Sequence, residues 1–368
     1  MSKEWKNPFN SFNSMKGLLY KDWFQSVFDK RFLPPIEASL DPIHACNLMC
    51  KHCNAFRYLE GDNVPDMKVM PFDHLMNLIE FLGRWGVKAI CFGGGGEPTL
   101  HVGLSKALYI TREMDMEASI ATNGTLFTPT LITAMAKCCR WVGVSVDAGS
   151  NKTYQIGRNK DLFSQTLSNI RSLVERIKKE NSKCEVAYKF LIMPHNQHEI
   201  LRACEIAKEL GVRDFHARPA DFRHQGREGL KNIQDKYDIP LIKSQFDKCH
   251  ELGDENFRVF TVMHKFDEDF LPRRDFNQCY AAPLCIQLCA DGNVYFCVDQ
   301  RHRREYLLGT HYPDPENILN FWNGERHKWL VFNDTPKRCL TRCTFGFYCK
   351  MAEEVFGKDK DPFCWRFV

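Results

Sequence analysis

Between residue 36 and about residue 225 the chain alternates short apolar runs with longer helical stretches, and this alternation constrains the fold more than any other feature. Parallel strands cannot be joined by tight turns, so each needs a crossover long enough to hold a helix. Runs at Ile36 to Leu40, Lys88 to Phe92, Glu117 to Ala121, Trp141 to Val146, Val186 to Ile192 and Asp214 to Ala217 read as strands. Stretches at Phe72 to Trp85, Leu104 to Met114, Thr128 to Lys137, Leu162 to Lys179 and Glu199 to Leu210 read as the helices between them. Six strand–helix units predict an α/β fold, a partial (βα)6 barrel over 36–225. In such sheets the working groups gather at the carboxyl ends of the strands.

Those strand ends carry the unusual residues. After the first strand, Cys46-Asn47-Leu48-Met49-Cys50-Lys51-His52-Cys53 puts three thiols into eight residues. Soft sulfur ligands select zinc or iron–sulfur clusters. A closed site wants four ligands; three cysteines on a four-iron cluster leave one iron open to a substrate or cofactor. A zinc knuckle or a disulfide scaffold is the competing reading. After the second strand comes Gly93-Gly94-Gly95-Gly96-Glu97-Pro98-Thr99. Glycines let the backbone approach a ligand closely. The stretch lacks the Lys and Ser/Thr of a nucleotide phosphate loop, and its carboxylate suits an ammonium group instead.

Thr122-Asn123-Gly124 follows the third strand, and Ser145-Val146-Asp147-Ala148-Gly149 ends the fourth, with Ser145 and Asp147 alternating onto one face. An Asn-Gly turn and a capping serine are the structural alternatives. Arg218, Arg223 and Arg227 follow the sixth strand. Cations there can hold phosphate or carboxylate, and a solvated basic face is the other reading. Cys91 is the spare thiol nearest the strand ends, whereas Cys138, Cys139, Cys184, Cys204 and Cys249 read as small core residues.

The net charge of +4, from 50 basic and 46 acidic residues, argues against nucleic acid as a general partner. No apolar run is long enough for a bilayer and none near the start reads as a signal peptide, so a cytoplasmic protein without a membrane partner is expected. In a reducing compartment 17 cysteines are better read as metal ligands than as disulfides. Residues 1–35 carry a helical pattern, with Leu18, Leu19, Trp23, Phe24, Val27 and Phe28 on one face, expected to pack on the main domain. With 45 residues before Cys46, no separate peptide-recognition domain is expected there. Residues 226–275 read as a connector with one or two helices, and 276–368 as a cysteine-rich C-terminal domain with a hairpin at Asp291 to Phe296.

The Cys-x3-Cys-x2-Cys spacing resembles the cluster loop of radical S-adenosylmethionine (radical SAM) enzymes, and Gly95-Gly96-Glu97 resembles that family's Gly-Gly-Glu motif. The resemblance implies a 4Fe-4S cluster on Cys46, Cys50 and Cys53. S-adenosylmethionine would be chelated at the open iron and cleaved to a 5'-deoxyadenosyl radical that takes a hydrogen atom from a substrate carbon. It implies cofactor contacts at Gly94, Gly95, Gly96, Glu97 and Pro98, at Thr122 and Asn123 near the sulfonium or ribose, at Ser145, at Arg158 near the cofactor carboxylate, and at His52 near the adenine. Asp147 is the candidate to face the substrate. An external electron donor such as flavodoxin or ferredoxin is implied as a partner.

The C-terminal pattern, Cys279, Gly292 and Cys297 followed by Cys339, Cys343, Cys349 and Cys364, resembles the SPASM extension of that family, which carries one or two auxiliary iron–sulfur clusters. Ile318 to His327 looks like the helix between its two cysteine groups. By the family pattern Cys339, Cys343, Cys349 and Cys364 complete a distal cluster, and Cys279, Cys285 and Cys297 a proximal one. The usual fourth proximal ligand falls on Glu353. Either Glu353 or Cys289 fills that gap, or the iron is open to substrate.

Three functions are compatible with these features. The first is oxidation or epimerisation of a small hydroxylated metabolite, such as a sugar or cyclitol bearing an anionic group, with Cys91 as the hydrogen donor that epimerisation requires. The second is modification of a peptide or protein side chain. The third is a non-catalytic metal or electron-transfer protein, against which the joint presence of Glu97 and the three loop cysteines argues.

Overall fold

In the computed structural model the described residues are 14–53, 55, 66–220, 236–263, 266, 276–334, 343 and 345–356. The six expected strands form as β1 (Glu37–Leu40), β2 (Ala89–Phe92), β3 (Glu117–Thr122), β4 (Cys139–Ser145), β5 (Glu185–Ile192) and β6 (Asp214–Pro219), each parallel to the next. Between them run α2 (Phe72–Trp85), α3 (Leu104–Glu113), α4 (Pro129–Cys138), α5 (Asn151–Arg158), α6 (Phe163–Lys179) and α7 (Ile200–Glu209). Helix α1 is Lys21–Phe28.

The sheet extends past the six strands on both sides. From the stretch read as a connector come α8 (Ile239–Glu251) and β7 (Arg258–Thr261), which adds parallel to β6. On the other edge β8 (Cys285–Leu288) lies parallel to β1, pairing Glu37 with Cys285 and Leu40 with Leu288. The expected hairpin then turns into antiparallel β9 (Asn293–Tyr295) and β10 (Leu307–Thr310). A tight turn at Asp291-Gly292 needs a residue in the left-handed region, and Gly292 has φ 83°. One ten-stranded sheet therefore runs across the boundaries expected near residues 225 and 276.

Local sequence explains why the elements stop where they do. In α2, Leu75, Leu78, Ile79 and Leu82 recur at helical spacing and are fully buried, and Gly86 ends the helix at φ 108°. Helix α4 opens on Thr128-Pro129, with the Thr128 hydroxyl accepting from the Leu131 amide at 3.2 Å. The helix expected over Ile318 to His327 is broken instead. A 3-10 turn at Pro315–Asn320 is separated from α9 (Glu325–Trp329) by Asn323, which sits at φ 61°. The Asn323 carboxamide accepts from the Phe32 amide at 2.9 Å and Trp322 Nε1 donates to the Leu33 carbonyl at 2.9 Å, so the break ties this segment to the chain before β1.

The N-terminal segment also departs from expectation. It is a 3-10 turn at Ser14–Leu19 followed by α1, and Leu18 and Leu19 are exposed rather than on the packed face. Phe24 and Phe28 do pack, but on the C-terminal region: Phe24 meets Tyr348 and Phe356 of α10 (Gly346–Phe356), and Phe28 stacks on Tyr280 at 4.8 Å. Cys138, Cys139, Cys184, Cys204 and Cys249 are all buried, as core residues should be. No helix among the described residues is long and apolar enough to cross a membrane.

Candidate active site

The sheet has two unlike faces. Ala38, Leu40, Ile90, Phe92, Ala118, Ile120, Val142, Val144, Val186, Phe190 and Phe215 pack in the apolar core. The alternating positions are Ser39, Cys91, Ser119, Trp141, Ser145, Lys189, His216 and Arg218. Sheets sandwiched between helices are usually apolar on both faces. Polar residues on the second face depart from that pattern. Lys189 on β5 feels the charges of Arg218, Asp147 and Cys91. Burial first, and then Arg218, lower the Lys189 ammonium to about 8. Burial pushes the Cys91 thiol up to about 11, so it keeps its proton at neutral pH, and Ser119 hydrogen-bonds it.

At the carboxyl end of β1 the loop carrying Cys46, Cys50 and Cys53 is anchored from several elements. The Lys51 amide donates to the Gly157 carbonyl at 3.0 Å, and Asn47 bonds both Thr125 and Asn123 at 2.8 Å. All three loop cysteines are free thiols. The Leu48 amide points to Cys46 Sγ at 3.5 Å, and Arg158 Nη1 donates to Cys50 Sγ at 3.1 Å. The buried Arg158 guanidinium thus donates to one of the three sulfurs. Donor type, count and setting therefore fit an iron–sulfur cluster held by three thiolates.

Arg158 also binds Asp147 and the Ser145 carbonyl, and His52 Nε2 lies 3.2 Å from Asp147 Oδ2. The Leu191 amide donates to Asp147 Oδ1 at 2.7 Å. Burial alone would raise the Asp147 carboxyl; the Arg158 charge and the His52 hydrogen bond hold it down to about 2. Asp147, read from sequence as facing the substrate, is thus committed to Arg158, His52 and Leu191. His52 and Arg158, read as cofactor contacts, share that same cluster.

The glycine stretch is packed rather than open. A Cβ on Gly96 would lie 2.3 Å from the Ala45 carbonyl, and one on Gly95 2.6 Å from His44. Gly94 sits at φ 93° with Asp41 and Arg301 against it. Glu97 is 2% exposed and caps the turn that begins at Pro98. Its Oε1 accepts from the Thr99 amide (3.1 Å), the Thr99 hydroxyl (2.8 Å) and the Thr122 hydroxyl (2.6 Å), and its Oε2 from the Asn123 amide (2.7 Å). A carboxylate offers about four lone-pair sites, so Oε2 keeps room for one more donor. The side chains of Thr122 and Asn123 are spent on Glu97, Asn47 and Thr125.

In the C-terminal region Cys279, Cys285, Cys297 and Cys343 line one cavity with Phe276, Phe296 and Phe345 around them. Burial pushes the Cys285 and Cys297 thiols well up. Uncharged thiols in an apolar wall are satisfied once metal takes their protons. This regroups the expected ligand sets. Cys343, expected in the distal set, lies with the three proximal cysteines. Cys289 points elsewhere, toward Asp41 at 3.8 Å, and Glu353 accepts from the Asn277 amide at 2.5 Å. Cys349 is buried in α10 outside the cavity lining, while Cys339, Cys364, Arg223 and Arg227 fall outside the described residues.

Lys189 and His216 were missed by sequence reasoning. A lysine amid Val186-Ala187-Tyr188-Lys189-Phe190-Leu191-Ile192 was the available signal, since charge inside an apolar strand is costly unless it faces a cavity.

Residues 40–185 match the family model of the radical SAM superfamily. An S-adenosylmethionine-dependent nucleotide dehydratase of Thermoplasmatales archaeon (strain ISO4-H5) is 28% identical over 132 residues, 36% of this chain and 45% of that protein. A probable GTP 3',8-cyclase of Saccharolobus islandicus is 23% identical over 228 residues, 60% of this chain and 70% of the cyclase. The chain thus spans less than half the length of the first of these relatives. Among solved structures, Streptococcus suis SuiB bound to S-adenosylmethionine superposes with TM-score 0.62 at 16% identity, over 92% of this chain and 79% of SuiB. At that identity the likeness is one of fold; SuiB has also been solved with its precursor peptide SuiA.

Proposed function

The chain carries a radical SAM domain, and on that premise we propose that it acts on a small anionic substrate bound against the sheet. The observation that carries this reading is the polar face holding Lys189, His216 and Arg218 beside Cys91. Two cations on a half-buried face recognise phosphate or carboxylate. When bound, a reduced 4Fe-4S cluster with S-adenosylmethionine supplies a carbon radical that removes a hydrogen atom from a substrate carbon.

In this reading Cys46, Cys50 and Cys53 hold the cluster, with Arg158 hydrogen-bonded to Cys50 and Asp147 orienting Arg158. Gly95, Gly96 and the spare position on Glu97 Oε2 receive the cofactor's ammonium group. Cys91 keeps its proton, and in this reading it returns a hydrogen atom to the opposite face of the substrate, which gives epimerisation. The sulfur radical left behind is reset by one electron from an external donor and one proton. A hydroxylated metabolite, sugar or cyclitol with an anionic group, fits these contacts.

Cys279, Cys285, Cys297 and Cys343 would hold an auxiliary iron–sulfur cluster with four thiolates. Full ligation suits electron relay and leaves no iron position for substrate, in contrast to the open iron that is one of the three readings of the sequence. Peptide modification is the second reading, favoured by the likeness of fold to SuiB, a protein solved with a precursor peptide.

The test is formation of 5'-deoxyadenosine by the reduced, reconstituted protein. Cys50→Ala should abolish it while leaving the C-terminal iron bound; full cleavage in that variant contradicts the loop's role. Phosphorylated or carboxylated polyols should stimulate it in wild type and not in Lys189→Met. Stimulation by short peptides alone, indifferent to Lys189, would favour the second reading.

A further inference from the structure

Behind the glycine loop lies a second group of metal-binding side chains that the reaction does not use. His44 follows β1, Cys289 follows β8, and His302 follows β9; one ligand atom from each lies within 4.8 Å of the others. The two rings meet edge to face at 4.6 Å, and His44 and Cys289 are fully or almost fully buried. Asp41 is wholly buried beside them, its Oδ2 3.8 Å from Cys289 Sγ and its Oδ1 without a hydrogen-bond partner.

We propose that His44, Cys289 and His302 form a mononuclear site for a divalent ion of the zinc class, with Asp41 beside it. Two imidazoles and a thiolate are three donors of the kind zinc accepts. An outer contact supports the assignment. Asp291 Oδ2 lies 3.5 Å from His302 Nδ1, and a carboxylate on one ring nitrogen directs the other toward metal. Arg301 Nη1 sits 3.4 Å from Asp41 Oδ2 and holds that carboxylate beside the ligands.

The close packing of the neighbouring loop keeps the ligands in place. Side chains at Gly94 and Gly95 would collide with Asp41 and His44 at 2.7 and 2.6 Å, respectively, so bare backbone covers the site. Cys289 is also absent from the lining of the four-cysteine cavity, which separates this site from the auxiliary cluster. The ion would join β1's loop, two residues before Cys46, to the C-terminal hairpin. Its role is that of a clasp between the two cysteine regions, and the proposal does not depend on which substrate the enzyme takes.

The test is metal analysis of the full-length, anaerobically reconstituted protein after incubation with zinc and removal of loosely held ion. Wild type should keep about one zinc per chain in addition to its iron. Cys289→Ala and His302→Ala should lose that zinc with iron unchanged, whereas Cys50→Ala should keep it. Cobalt added to zinc-free wild type should give tetrahedral d–d bands with a thiolate charge-transfer band; this reading needs no variant to fold. Wild type that holds no zinc and gives no thiolate–cobalt band overturns the proposal. So does zinc content equal in wild type and Cys289→Ala.

Discussion

At the scale of single residues, Glu97 and Lys189 carry the clearest expectations. Glu97 accepts four donors and donates none, so Glu97→Gln places an NH2 group against at least one of them. Loss of a buried acceptor costs about 1–3 kcal/mol. The variant should melt several degrees lower and bind S-adenosylmethionine more weakly by calorimetry; unchanged affinity removes Glu97 from the cofactor site. Lys189 is held near 8 by burial and Arg218, below the ordinary lysine range. Between that value and about 10.4 the unfolded chain binds the extra proton, so this residue makes stability rise with pH across the interval. Lys189→Met should abolish that rise in thermal melts from pH 8 to 10, and parallel profiles for both proteins would refute the shift. The loop thiols, the glycines and Glu97 were legible from spacing alone, because their chemistry is local. Lys189 and His216 were not, since only strand register places them on one wall.

At the scale of elements, the short helix α5 links the loop to the sheet. An eight-residue helix is marginal by itself and depends on its ends and its packing. Ser150 caps it, accepting from the Thr153 amide at 3.3 Å and donating to Glu199 Oε1 at 2.6 Å, while Glu199 Oε2 accepts from the Gly149 amide at 2.9 Å. The far end presents Arg158 to Cys50 and the Gly157 carbonyl to Lys51. Ser150→Ala should cost about 1–2 kcal/mol and perturb the paramagnetic signal of the Cys46 cluster while sparing the C-terminal one. A variant that melts lower with both signals intact would confine Ser150 to stability. Strands and long helices were readable in advance because periodicity repeats within each. Helix α5 was not, as polar residues such as Asn151, Lys152, Gln155 and Arg158 fill much of its eight-residue span. The break at Asn323 was hidden for another reason: its partner Phe32 is remote in sequence.

At the scale of the whole molecule, the two ends of the chain complete one sheet. Sequence implied a barrel followed by a separate metal-rich tail, because a parallel pairing between β8 and β1 has no local signature; nothing in Cys285-Ile286-Gln287-Leu288 names its neighbour. The consequence is mutual dependence. Without residues 276–368, β1 becomes an edge strand whose backbone groups lose β8, and α1 loses Tyr280, Tyr348 and Phe356 from its aromatic face. An unpaired edge beside an uncovered apolar surface recruits other chains. A fragment ending at residue 275 should therefore aggregate or exchange the amides of β1 rapidly, as read by size-exclusion chromatography and hydrogen exchange. Cys297→Ala in the full chain is the control, since it removes a thiol without removing β8, and it should elute as wild type does with β1 protected. A monomeric fragment that unfolds as cooperatively as the full chain would show that the barrel stands without its C-terminal strands.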